Sequence, residues 1–145
     1  MLSSAKFLRG VVVAFVALAP CGCASAPVAA PANLRLGVPA RSLPAPVSRG
    51  STAGPQIEAV DLSTTDVRRG SRWSGTIVTS TNVASVEVRT NLFSIDVPRT
   101  AFGRFAFAVD VFDLPPIFIR PYRLRVIARN AAGRAAEEDL PLRFR

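Results

Sequence analysis

From Gln56 to Arg145 the apolar residues recur every second position, and a chain with that period can bury them only as β-strands. Ile57 to Leu62 opens the pattern. Trp73, Gly75 and Ile77 then alternate with Ser74, Thr76 and Val78, and Val86 and Val88 with Glu87 and Arg89. Phe93, Ile95 and Val97 follow, then Phe105, Phe107, Val109 and Val111. The last two runs are Tyr122, Leu124, Val126 and Ala128, and Leu140, Leu142 and Phe144. Between them lie Arg69-Gly70-Ser71, Thr81-Asn82, Ala101-Phe102-Gly103, Leu114-Pro115-Pro116 and Asn130-Ala131-Ala132-Gly133, all turn signals. No segment after residue 26 carries a helical apolar stripe. The expectation is an all-β antiparallel sandwich of about seven strands, one face of each sheet inward.

The region before it has two other characters. Residues 24–55 interleave Pro27, Pro31, Pro39, Pro44, Pro46 and Pro55 with Ala, Ser, Gly and Val, with no acidic or aromatic residue and no apolar period. Such a stretch is expected to be a disordered, extended tether, because it offers little apolar burial to offset its ordering entropy. Ahead of it, Lys6 and Arg9 precede a short apolar run, Val11–Ala19, that leads into Pro20-Cys21-Gly22-Cys23-Ala24-Ser25-Ala26. That run suits the h-region of an export signal better than a membrane span. The divisions read from sequence are therefore 1–22 signal, 23–55 Pro/Ala-rich tether and 56–145 folded domain.

The signal resembles that of bacterial lipoproteins, in which a lipid is attached to a cysteine that becomes the first residue. Cys23 follows Gly22 and precedes small residues, but Pro20 stands where an aliphatic residue belongs. Cys21, the alternative, has Leu18 well placed but Pro20 directly before it. The ordinary alternative is a signal cut after Ala24 or Ala26. The resemblance implies an exported protein, membrane-anchored through an N-terminal lipid and facing the periplasm or the cell surface. Ordinary cleavage would leave it soluble in the periplasm or secreted.

Composition then removes most chemistry. There is no histidine, the only lysine is Lys6, and both cysteines lie in the signal region, so the folded part lacks imidazole, thiolate and lysine nucleophiles. A zinc site lacks its usual ligands, and no calcium-loop motif accompanies Asp110, Asp113 or Glu137-Glu138-Asp139. The expectation is no enzyme, no cofactor and no metal. Net charge is +8 for the whole chain, and about +6 once the signal with Lys6 and Arg9 is removed. Export and the scarcity of Trp and Tyr speak against nucleic acid as a partner.

Over residues 56–145 the chain resembles the immunoglobulin-like sandwich domains of bacterial exported proteins, with a fibronectin type III sandwich as the neighbouring label. The pieces that carry the likeness are Gly70-x-x-Trp73-x-Gly75 and Tyr122-Arg123-Leu124-Arg125-Val126, the latter continuing to Gly133. The resemblance implies that the Tyr122 hydroxyl caps a nearby turn, and that residues 83–90, 121–129 and 138–144 share a sheet. Arg89, Arg123, Arg125, Arg129, Arg143 and Arg145 would then project from its outer face, offset mainly by Glu87 and Asp139. Guanidinium forks suit phosphate and carboxylate groups. The expected role is a non-catalytic envelope binding or structural module that contacts an anionic envelope polymer. The alternative is an accessory subunit that docks another envelope protein by a sheet edge or loops. The sequence leaves the oligomeric state open.

Overall fold

The computed structural model describes residues 30–112 and 115–145. The segment expected to be a signal and both candidate lipidation sites, Cys23 and Cys21, lie outside the described residues. Within them the chain is all-β, two five-stranded sheets packed together. The first sheet holds β1 (Leu34–Leu36), β2 (Ile57–Leu62), β4 (Arg72–Thr79), β7 (Arg99–Ala101) and β8 (Arg104–Asp110), in the order β1-β2-β4-β8-β7. The second holds β3 (Asp66–Val67), β5 (Val83–Arg89), β6 (Ser94–Val97), β9 (Pro121–Asn130) and β10 (Ala135–Phe144), in the order β3-β10-β9-β5-β6. Pairing is antiparallel except at two edges, where β1 runs parallel to β2 and β3 parallel to β10.

Seven of these strands are the seven alternating runs, and the alternation is in the expected phase: Trp73, Phe107, Val126 and Leu142 are all buried between the sheets. An edge-to-face chain of rings runs through that core. Phe107 meets Trp73 at 4.8 Å between centroids, Trp73 meets Phe93 at 6.3 Å, Phe93 meets Phe144 at 6.3 Å, and Phe144 meets Tyr122 at 5.4 Å. Trp73 satisfies its indole by donating to the Thr64 carbonyl at 3.1 Å. Gly75 makes room for this arrangement. A Cβ there would lie 2.7 Å from the Phe107 ring and 2.9 Å from Leu62.

Residues 30–55 depart from the tether expectation. Leu43 is buried with Ala59 and Val78 on the outer side of the first sheet, and Val38 packs against the same group. The backbone is tied down along its length. Val60 N–H donates to Asn33 O, Gly37 N–H to Leu62 O, and Thr81 N–H to Val47 O, at 2.9–3.1 Å. The Asn82 side-chain amide donates to Gly50 O and Ala53 O, and that of Asn130 to Ala53 O. Pro46 lies against Gly103, where a Cβ would come within 2.5 Å of the proline ring and the φ of +65° already favours glycine. The physical reason is that this segment needs no apolar period of its own. It supplies a few apolar contacts and many carbonyl acceptors to a sheet whose outer face is otherwise incomplete. Ala59-Val60 and Ile77-Val78 are buried on both sides for that reason.

Candidate anion-binding cleft

The outer face of the second sheet is where the sequence put its arginines. On β9 Arg123, Arg125 and Arg129 point outward, alternating with buried Leu124, Val126 and Ala128. Arg89 stands opposite Arg125 across the β5–β9 pair, and Arg143 opposite Asp66 across the β10–β3 pair. All six proposed arginines therefore share the outward side of this sheet. They do not form a bare basic plateau. Arg123 and Arg125 both hold Asp139, at 3.1 and 2.9 Å, and Arg125 also reaches Glu137 at 3.3 Å. Arg129 holds Glu87 at 3.1 Å, Arg89 lies 3.7 Å from the same carboxylate, and Arg145 forks onto Asp66 through two bonds of 3.1 Å.

The electrostatics follow from those contacts. The hydrogen bond from Arg125 holds the Asp139 carboxyl below its ordinary value, and the Arg123 contact adds to it. Glu87 is lowered first by the Ser94 hydroxyl, then by Arg129. Asp139, in turn, raises Arg125. With Asp96 opposite Glu87 on β6, five carboxylates answer six guanidiniums, and the middle of the face is close to neutral. The sequence reading counted two of these acids. Glu137 and Asp66 join only because β10 and β3 bring them across the sheet.

Positive charge is left over at one end. Where β5 ends and β9 begins, Arg89, Arg120, Arg123 and Arg125 line an open hollow of about 620 Å³, together with Thr90, Asn91, Pro121 and Tyr122. None of its lining residues is acidic. Arg123 and Arg125 share Asp139, and Arg89 makes a long contact to Glu87. Arg120 has no ion pair among the described residues: its Nε donates to the Tyr122 hydroxyl at 3.1 Å, and its guanidinium lies 5.2 Å over the Tyr122 ring. The Tyr122 hydroxyl donates to Phe118 O at 3.1 Å, closing the turn before β9 as the resemblance implied. The opposite wall is the turn at 90–93, held by Thr90 Oγ1, which accepts from Leu92 N–H at 3.0 Å.

The structure thus brings Arg89, Arg123 and Arg125 together in the lining of the hollow and leaves Arg129, Arg143 and Arg145 outside that lining, with Arg143 opposite Pro121 at its edge. Sequence reasoning missed Arg120, which belongs to a turn and so has no place in an alternating pattern. Its position two residues before Tyr122 was the available signal. Chemically, the hollow offers forked N–H donors and fixed positive charge, which suits a phosphate or carboxylate group. The chain matches no protein-family model and no curated protein.

Proposed function

We propose that this chain is a non-catalytic binding module of the cell envelope, an immunoglobulin-like domain that takes an anionic group in the Arg89, Arg120, Arg123 and Arg125 hollow. The observation that carries this reading is four arginines lining one hollow with no acid in its lining. The immunoglobulin-like assignment is supported by the strand order. Setting aside the short strands β1 and β3, β2-β4-β8-β7 faces β10-β9-β5-β6, as A-B-E-D faces G-F-C with an added strand beside C. Supporting the non-catalytic reading, the described residues hold no His, Cys or Lys, and Glu87, Glu137, Asp139 and Asp66 are each paired with an arginine.

Anchoring through a lipid on Cys23, or on Cys21, is part of the proposal. From Cys23 to Ala30 the chain reaches at most about 25 Å, so the domain would sit close to the bilayer instead of at the end of a long tether.

A titration of the lipid-free chain with dextran sulfate tests the reading. Binding should weaken steeply with salt, and Arg120→Ser with Arg123→Ser should lower affinity and flatten the salt dependence. Unchanged affinity in the double variant would overturn it.

A second reading, docking of a protein partner by strand addition, has one observation in its favour. Strand β7 covers β8 only as far as Arg104 and Phe105, with Pro98 O accepting from Ala106 N–H, so residues 107–110 have β4 on one side and, among the described residues, no strand on the other. Binding of that kind would resist salt.

A further inference from the structure

Among the described residues, the pole that carries the arginine hollow also carries four exposed apolar side chains. Phe112 is 83% exposed, Ile117 76%, Ile119 40% and Leu92 36%. They come from two connections, 111–120 between β8 and β9 and 90–93 between β5 and β6. Both connections close the same end of the two sheets. The third connection at this end, 68–71, contributes Arg68 and Arg69, and its Gly70 N–H donates to Val111 O. Arg72 starts β4 beside it, and Arg145 follows β10, its carbonyl accepting from Arg69 N–H. Four apolar tips therefore share this end with Arg68, Arg72 and Arg145 and with the arginines of the hollow. The acids in reach are Asp66 and Asp110, paired with Arg145 and Arg72, Asp139, Glu137 and Glu87, paired with Arg123, Arg125 and Arg89 of the hollow, and Asp113 outside the described residues.

We infer that this pole docks on an anionic lipid bilayer, with Phe112 and Ile117 entering the headgroup region and the guanidiniums of the same end holding lipid phosphates. The inference rests on the anion-binding reading of the hollow and names its source as membrane lipid. Charge and apolar exposure argue for the same partner. A soluble polyanion has no use for Phe112 and Ile117, and an apolar protein surface has no use for these arginines. An anionic bilayer uses both, because lipid phosphates lie at the level of the guanidiniums and acyl chains just beneath. The tether permits it. Asn33 O accepts from Val60 N–H, level with Ile77 and Val78 of the paired β4, so the described chain starts most of the length of β4 away from Arg72 at this pole. That distance of about 20 Å is within the reach of about 25 Å between Cys23 and Ala30.

The test is vesicle sedimentation of the chain starting at Ser25, which keeps every described residue and carries no lipid of its own. Vesicles of phosphatidylcholine alone are compared with vesicles that also contain phosphatidylglycerol. The wild-type chain is expected to partition onto the anionic vesicles only. Phe112→Ser with Ile117→Ser should reduce partitioning about tenfold or more through lost apolar insertion. Arg120→Ser should reduce it about fivefold. Phe102→Ser, equally apolar but in the β7–β8 turn at the opposite pole, should leave it unchanged. Thermal melts of all variants establish that they remain folded, and Ile117→Ser alone gives the same reading with the smallest change. Equal binding to both vesicle types, or partitioning indifferent to Phe112→Ser with Ile117→Ser, overturns the inference. Binding of dextran sulfate that depends on Arg120, with no vesicle binding, overturns the membrane inference and leaves the anion-binding reading standing. Binding of neither overturns both.

Discussion

Leu43 decides whether residues 30–55 belong to the folded domain. It is buried to 6% exposure against Ala59 and Val78, at the midpoint of the segment whose two ends are held by backbone bonds. Leu43→Ala removes three carbons from that site, about 2.4 kcal/mol at ~0.8 kcal/mol per buried carbon. The pocket is shallow and can partly collapse, so about 2 kcal/mol is expected, the low end for such a truncation. If the segment melts together with the sheets, the transition falls by about 8 °C for a domain of this size. If it undocks first, the loss appears instead in native-state proteolysis. Trypsin at Arg41 and Arg49 should then cleave Leu43→Ala about thirtyfold faster than the wild-type chain, the factor that 2 kcal/mol represents. The assay is a thermal melt run beside timed digestion with mass readout of the first cuts. Wild-type cleavage at Arg41 and Arg49 at the rate of an unfolded peptide, with no change in either readout for Leu43→Ala, would refute the docking.

Two further substitutions probe the core and the charges. Gly75→Ala forces a Cβ to within 2.7 Å of the Phe107 ring and should destabilise by about 1–3 kcal/mol, with Phe107→Leu restoring part of the loss in a denaturant titration. Glu138 shows the opposite sign to its neighbours. Burial raises its pKa and the Asn33 amide only partly offsets this, so ionising it disfavours the folded state, and its contribution is lost as pH rises from the ordinary glutamate value of 4.5 through the raised one. Glu138→Gln should therefore match the wild type in acid and melt higher at neutral pH. Asp139 and Glu87, both lowered, contribute stability at neutral pH that is lost as pH falls, and Asp139→Asn should lower the melting temperature at pH 7 more than at pH 3. The same sign for Glu138→Gln and Asp139→Asn at neutral pH would contradict the partial burial of Glu138 beside Asn33.

By itself the sequence determined the all-β class, the seven main strands and their phase. A period of two leaves one inward set of side chains per strand, and a slip of one residue would have exposed Trp73 or Leu142. It also determined that the arginines of β9 face outward, because they alternate with Leu124 and Val126. Tertiary structure alone decided three things. Residues 30–55 pack on the first sheet because the sheet's outer face needed covering, and that requirement cannot be read from the segment's own pattern. Strands β1, β3 and β7 are two or three residues long and exist through their neighbours' edges, below the length at which alternation is visible. The division of the arginine face into a neutral ladder and a positive pole depends on cross-strand register. Asp139 meets Arg125 and Asp66 meets Arg145 only once β9, β10 and β3 are laid side by side. Arg120 joins Arg89 in the hollow because two turns far apart in the chain close the same end of the sheets.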